Sequence, residues 1–457
     1  MGTMRNITAD GTALTPDAFM LEEVSICTAK GEAIDLQYAV QEIIITESIY
    51  SPTLICTVKV KDESNILEAL PLYGLETIYV KIKRKMGPSG SSQEFERTFY
   101  ITDYPLYGRA PLREHVQAWS VTGVSKAMWQ NPMFKISRGY KGKISDEIVK
   151  IAKDAFKITV NYEGEANSEG QGIINIQTPM RAMDWFRRRL HDDDGSPYYL
   201  YDTLQSEKDT LELKSHAKLV EGKPHNSQPF IDTRTFSHPA GSAADFNQRR
   251  HKIISISSEL KLSKFLPIAA GTWGSETNYV DIALRQFGKK HYSYKDDFPF
   301  KDKTLLKTDL FEEPVYNESV RGGGGGGGGS PTINKNEEKP SDEFYSSVTT
   351  LARNSEAFED EGLQNYMEWS WEKSSIVKAF PGVFNTLHHE VQLFGDLELN
   401  AGKIIELAFP KAGDPMNVGG NVDEYMSGNY LVTSAIHRFK GQQYFTEVKV
   451  KRDSFVK

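Results

Sequence analysis

Two stretches of this chain repeat the same succession of alternating strands, and that repetition constrains the fold more than any other feature. In the first, Ile43-Ile-Ile45 is followed by Leu54, Cys56, Val58 and Val60, then by Ile78, Val80 and Ile82, then by Phe99-Tyr-Ile-Thr102 and the run Val116 to Ser125. Apolar residues at every second position put one face of a strand against a core and leave the other to water. In the second stretch, Leu387 to Lys457, Ile405, Leu407 and Phe409 share a face. Tyr430 to His437 and Tyr444 to Lys451 then read as a hairpin around Lys440-Gly441-Gln442.

The two stretches align. Gly74 before Ile78 matches Gly402 before Ile404, and Phe99-Tyr-Ile-Thr102 matches Tyr430-Leu-Val-Thr433. The spacing from the glycine to the threonine is 28 residues in the first and 31 in the second. Lys252 to Ser258 supplies an opening strand resembling Glu42 to Ser48. The pattern predicts an interrupted duplication of one barrel-like domain. Few matched positions are identical, so strand pairing must decide between duplication and unrelated strands.

Between the copies the period changes. Ser145 is placed to cap a helix carrying Ile148, Ile151, Ala152 and Ala155 on one face, and Thr178-Pro179 to open a second with Met183, Phe186 and Leu190 inward. Tyr198 to Asp202 and Leu211 to Ser215 follow as a hairpin. The expected fold is mainly β with an α+β insert: two similar tube-type β-barrel domains, an inserted α+β domain and a flexible glycine-rich linker. The boundaries are an arm over residues 1–18, a first barrel over 19–127, the insert over 128–245, the start of the second barrel over 246–307, a flexible insertion over 308–364, and a helix with the rest of the second barrel over 365–457. The helix, Asn365 to Phe380, is expected to stop at Pro381-Gly382. Ile43 to Gly74 spans 31 residues and Ile253 to Gly402 spans 149, so the second copy carries an insertion of about 118.

The length of 457 residues fits about three domains, and 39% hydrophobic with 25% charged residues is an ordinary water-soluble composition. A net charge of −8 implies no general affinity for nucleic acid or anionic membranes. Cys27 and Cys56 fall in no metal-ligand spacing and cannot form a disulfide framework, which points to an intracellular folding compartment. The first 18 residues lack the apolar segment of a signal peptide. No apolar run approaches the roughly 18 residues a membrane helix needs, so no stable membrane insertion is expected.

Candidate chemistry is sparse. Gly322 to Gly329 is followed by Ser330-Pro331 rather than the Gly-Lys-Ser/Thr of a phosphate loop. His191-Asp-Asp-Asp194-Gly195 lacks calcium-loop spacing and reads as an exposed acidic loop where Gly195 ends the Thr178 helix. His388 and His389 fall on opposite strand faces and cannot share one ion. His437 reads as a hydrogen-bonded barrel histidine. Arg187 to Arg189 and Arg249-Arg250 are too short for a phosphate track. No catalytic, cofactor-binding or metal residue is assigned, and no cofactor is expected.

Ser48-Ile-Tyr-Ser-Pro-Thr-Leu54, Val58-Lys-Val-Lys-Asp62 and Leu70-Pro-Leu-Tyr-Gly74 resemble the central baseplate hub of contractile-tailed, T4-like bacteriophages, a family related to the base of type VI secretion spikes. Gly395-Asp-Leu-Glu-Leu-Asn-Ala-Gly402, Ser427 to His437 and Lys449-Val-Lys-Arg-Asp-Ser454 carry the same resemblance. It implies a non-enzymatic homotrimer whose two barrels per chain make a pseudo-sixfold ring. Such a ring lies between a hexameric tail tube and a trimeric spike, touches other baseplate proteins, and passes DNA through its lumen without specific binding. It implies a place in the virion tail after assembly in the host cytoplasm. A lumen wall that is neutral or acidic is expected with it. The alternatives are a tail-associated cell-wall hydrolase using the His191 to Asp194 cluster, or a glycan-binding adhesin stacking sugars on Trp369 and Trp371 or Tyr198 and Tyr199. The long glycine-bearing insertion departs from the family pattern.

Overall fold

The computed structural model describes residues 15–63, 74–85, 92–104, 106–109, 117–166, 168–193, 195–206, 209–232, 243–260, 274–281, 285–293, 347–353, 364–384, 387–411 and 422–453, with isolated positions at 66, 270–272, 297 and 305. The glycine tract and most of the N-terminal arm lie outside these residues.

The chain opens with β1 (Met20–Cys27), β2 (Ala33–Asp35), β3 (Val40–Ser48), β4 (Ile55–Asp62), β5 (Thr77–Lys85), β6 (Ser92–Asp103), β7 (Leu106–Arg109) and β8 (Gln117–Val124). A short helix, α1 (Lys126–Gln130), leads to β9 (Ile136–Lys143), α2 (Ile144–Phe156), β10 (Thr159–Glu163), β11 (Glu169–Gln177), α3 (Pro179–Arg187), β12 (Tyr198–Tyr201), β13 (Thr210–Ser215), α4 (His216–Val220), β14 (Phe230–Ile231) and α5 (Ala243–Arg250). Then come β15 (Ile253–Leu260), β16 (Gly274–Asp281), β17 (Gln286–Ser293), β18 (Ser347–Arg353), α6 (Gln364–Phe384), β19 (Leu387–Phe394), β20 (Ile404–Ala408), β21 (Gly428–Lys440) and β22 (Gln443–Arg452).

Strand pairing decides for the duplication. One large sheet contains the order β15-β19-β22-β21, with β20 on β21, joined edge to edge to β3-β4-β8-β6-β5. The two halves have the same topology: β15, β19, β22, β21 and β20 correspond to β3, β4, β8, β6 and β5. The glycine match survives too, since Gly74 and Gly402 both take a left-handed φ, +86° and +88°, just before the equivalent strands β5 and β20. Alternation buries Ile43, Ile45, Val58, Val60, Ile78, Val80, Ile82, Phe99 and Trp119 in the first core and Val391, Leu393, Ile405, Leu407, Tyr430, Val432, Val448 and Val450 in the second. Each such side chain contributes roughly 1.5–3 kcal/mol by leaving water.

The insert has its own core around Ile148, Ile151, Phe156, Met183, Phe186 and Leu213. The hairpin β12–β13 forms as expected, and β10 adds to it in parallel. Three expectations need correcting. Ser145 is not the cap of α2; the helix starts at Ile144 directly from β9, and the Ile144 amide donates to the Ser168 carbonyl at 2.9 Å, so a neighbouring backbone does the capping. Gly195 does not end the Thr178 helix, because α3 closes at Arg187 under a C-cap at Arg188. The long helix α6 does not stop at Pro381 but runs to Phe384. Its buried stripe, Ile376, Ala379, Phe380, Val383 and Phe384, continues through the proline, and that burial outweighs one lost backbone bond. Separately, β16, β17 and β18 form a three-stranded sheet.

Candidate functional site

The two halves of the large sheet meet at a join between β21 and β3. β21 and β3 pair antiparallel from Ser434 opposite Ser48 to Lys440 opposite Glu42. Side chains reinforce the seam: Ser434 Oγ donates to the Glu47 carbonyl at 2.8 Å and Ser48 Oγ to the Thr433 carbonyl at 3.1 Å.

Behind the seam sits Glu47, 0% exposed. Its carboxylate accepts the Leu204 amide at 2.8 Å and the Ala401 amide at 2.6 Å. Leu204 belongs to the insert and Ala401 to the second copy, so one first-copy carboxylate ties three parts of the chain. His437 Nε2 lies 3.8 Å away, while its Nδ1 shares a hydrogen bond of 2.7 Å with the Tyr444 hydroxyl, whose pKa burial raises.

A second tie centres on Asp396. Gln93 Nε2 donates to it at 2.9 Å and Arg250 Nη2 at 2.8 Å, with His225 Nε2 at 3.2 Å. Burial alone would raise this carboxyl; the His225 hydrogen bond and the Arg250 guanidinium overcome that and hold it far below the usual range. His225, Asp396 and Glu398 stand close enough to share an ion, with ligand atoms within 4.8 Å. The Arg250 cation already supplies the positive charge there, so the cluster acts as a charge-assisted junction. Nearby, buried Arg84 donates to the carbonyls of Gly395 and Pro16 and lies 5.4 Å from the centre of the Tyr444 ring; burial pulls its pKa down to about 10.

A cavity of about 280 Å³ opens between the first sheet and the insert, where Arg97, Ser125, Lys126 and Asp202 meet. Asp202 accepts from Ser125 Oγ at 2.8 Å, with Arg97 Nη2 at 3.8 Å, and burial pushes its pKa up to about 6. Its polar groups mainly bond each other or backbone, the pattern of a docking contact between domains.

The residues singled out from sequence scatter. Asp192 is buried rather than exposed, because its carboxylate accepts the Ser196 amide at 2.8 Å and closes a turn. Asp193 is exposed, and Asp194 lies outside the described residues. His388 and His389 do point to opposite faces; His389 is buried between Ser258 Oγ at 2.9 Å and the Tyr430 hydroxyl at 3.1 Å, and burial lowers its pKa to about 4. Tyr198 and Tyr199 are 0% and 8% exposed, so neither offers a platform for sugars. The Trp369 and Trp371 side chains lie outside the described residues. Arg187 and Arg188 pair with Asp184, and Arg189 stacks on Trp185. Cys27 and Cys56 are free thiols. Sequence reading missed Glu47, Arg84 and Asp396. Two of these carried a signal, since Glu47 continues the inward parity of Ile43 and Ile45, and Arg84 that of Val80 and Ile82.

No family model matches the sequence, and no curated protein matches it. Solved structures do. The 43 kDa tail protein of prophage MuSo2 from Shewanella oneidensis superposes with a TM-score of 0.50 at 12% identity, over 94% of this chain and 99% of that one. A tail protein from Neisseria meningitidis gives 0.49 at 13% identity, over 95% and 97%. An E. coli component of the type VI secretion system gives 0.42 at 7% identity, over 95% and 76%. Among the described residues no helix is long and apolar enough to cross a membrane. This chain has the fold of a prophage tail protein along nearly its whole length.

Proposed function

We propose that the chain is the structural hub of a contractile phage tail, not an enzyme. Three copies close a ring whose six similar segments meet a hexameric tube on one side and a trimeric spike on the other, while nucleic acid passes along the axis. It works by geometry, as a virion component assembled in the host cytoplasm and in contact with other baseplate proteins.

The join carries this reading. Inside the chain, β21 of the second copy pairs with β3, the opening strand of the first. The equivalent opening strand of the second copy is β15, which among the described residues pairs only with β19. The strand β7 continues β6 as the end of β21 continues its own start, and among the described residues it pairs only with β8. Repeating the internal join between chains therefore brings β7 of one protomer against β15 of the next. Four strands from each copy, β15-β19-β22-β21 and β3-β4-β8-β7, would then form one closed wall. Closure leaves no open edge to recruit other chains.

Light scattering on the purified chain should give a trimer, and images down its axis should show threefold symmetry with six lobes. A chain that stays monomeric at high concentration and binds neither tube nor spike protein overturns the reading.

A further inference from the structure

The cavity between the first sheet and the insert sets a buried carboxylate against apolar walls. Asp202 is 3% exposed, and its two oxygens stand in different surroundings. Oδ2 accepts from Ser125 Oγ at 2.8 Å, while Oδ1 receives no hydrogen bond among the described residues. Arg97 Nη2 stands 3.8 Å from Oδ1, beyond hydrogen-bond reach, and donates instead to the Ser206 and Thr203 carbonyls. A buried acceptor without a donor costs free energy that a ligand carrying a donor recovers.

Size and lining say which donor fits. The volume of about 280 Å³ far exceeds the roughly 30 Å³ of one water and lies near the small end of ligand sites. Buried Phe99, Ile158 and Leu211 form walls suited to a short hydrocarbon stem. Four charged groups line the space: Asp202 after β12, exposed Asp209 before β13, Arg97 on β6 and half-buried Lys126 at the start of α1. Glu47 on β3 adds negative charge near Asp202. An anion would face the Asp202 and Asp209 carboxylates, with an arginine already bonded to carbonyls. A cation meets an acceptor that lacks a donor, and a charged donor makes the stronger bond. Lys126 opposes the cation, which gives the test a sign.

We propose that this cavity binds a primary alkylammonium group, with Asp202 Oδ1 as its acceptor and its stem against Phe99, Ile158 and Leu211. The lysine side chain of another polypeptide and a free aliphatic diamine share that chemistry. The site and the ring stand or fall separately. Burial outweighs the Arg97 guanidinium and the Ser125 hydrogen bond and pushes the Asp202 pKa up to about 6. The carboxylate that attracts a cation therefore forms across mildly acidic pH.

The test titrates the full chain with n-pentylamine, and with 1-pentanol as its neutral counterpart, followed by saturation-transfer NMR. Pentylamine should saturate with a Kd on the order of 1 mM, the range open to a ligand of so few atoms. Pentanol should bind at least tenfold more weakly. Amine binding should be about tenfold weaker at about pH 5 than at about pH 7.5, because the ammonium stays charged while Asp202 takes up its proton. Asp202→Asn, which keeps the size and an acceptor for Ser125, should weaken binding at least tenfold and remove the pH dependence. Should that variant fail to fold, Lys126→Gln serves in its place and should bind severalfold more tightly. Parallel titrations with Nα-acetyl-lysine amide and 1,5-diaminopentane separate the sources, the tighter of the two marking the natural one. No saturable binding of any amine, which leaves ordered solvent only, overturns the proposal. Pentanol binding equal to pentylamine, or unchanged affinity in both variants, overturns it as well.

Discussion

At the scale of single residues, the buried charges do the joining. Replacing Glu47 by Ala strands the Leu204 and Ala401 amides without an acceptor, at roughly 1–3 kcal/mol for each. Glu47→Gln keeps an acceptor and should cost less, and urea midpoints of the two variants check the order. Two other buried groups give opposite pH effects. Asp202 titrates near its ordinary 3.8 in the unfolded chain and at about 6 in the fold, so the fold binds its proton more readily. Its contribution therefore declines as pH rises from about 4 to about 6, and Asp202→Asn should remove that slope. His389 runs the other way, from 6.5 unfolded to about 4 folded. It supports the fold above pH 6.5 and that support is lost as pH falls through about 4. His389→Gln should flatten the acid side of the stability curve measured by thermal melts.

At the scale of elements, the paired glycines show what duplication preserved. Both precede an equivalent strand in a backbone conformation that L side chains rarely adopt, but their surroundings differ. A Cβ on Gly74 meets nothing within 4 Å, whereas one on Gly402 would lie 2.7 Å from the Tyr201 hydroxyl. Gly74→Ala should cost about 1–2 kcal/mol of strain, and Gly402→Ala visibly more, as calorimetry of the two variants would show. The glycines, the period-two strands and the β21–β22 hairpin were legible because each depends on local sequence. The cap of α2 and the passage of α6 through Pro381 were not, since a distant carbonyl settles one and a buried stripe the other. The polar ties were half legible. Glu47 and Arg84 break the apolar alternation in phase, which marks a buried charge, yet sequence cannot name partners lying hundreds of positions away. The acidic loop failed for the same reason, because the Ser196 amide that draws Asp192 inward belongs to the turn's conformation rather than its composition.

At the scale of the whole molecule, the proposed ring would close through the edges of β15 and β7 that carry no partner strand among the described residues. Proline at Ser255 or Ile256, whichever amide faces away from β19, removes a donor from the outer edge of β15. That variant should stay folded by circular dichroism and fail to form the proposed trimer by light scattering. The same topology also fixes a timetable. The last two strands of the chain, β21 and β22, complete the second copy's part of the sheet, and β21 covers the edge of β3 that lies opposite β4. During synthesis, then, the first copy has its core strands in hand early, while its seam waits for almost the entire remaining chain to emerge. Contacts across such a sequence separation form late. A ribosome-bound chain truncated before Gly428 therefore displays the seam of β3 as a bare template, and the closing hairpin decides whether that template finds its own chain or another.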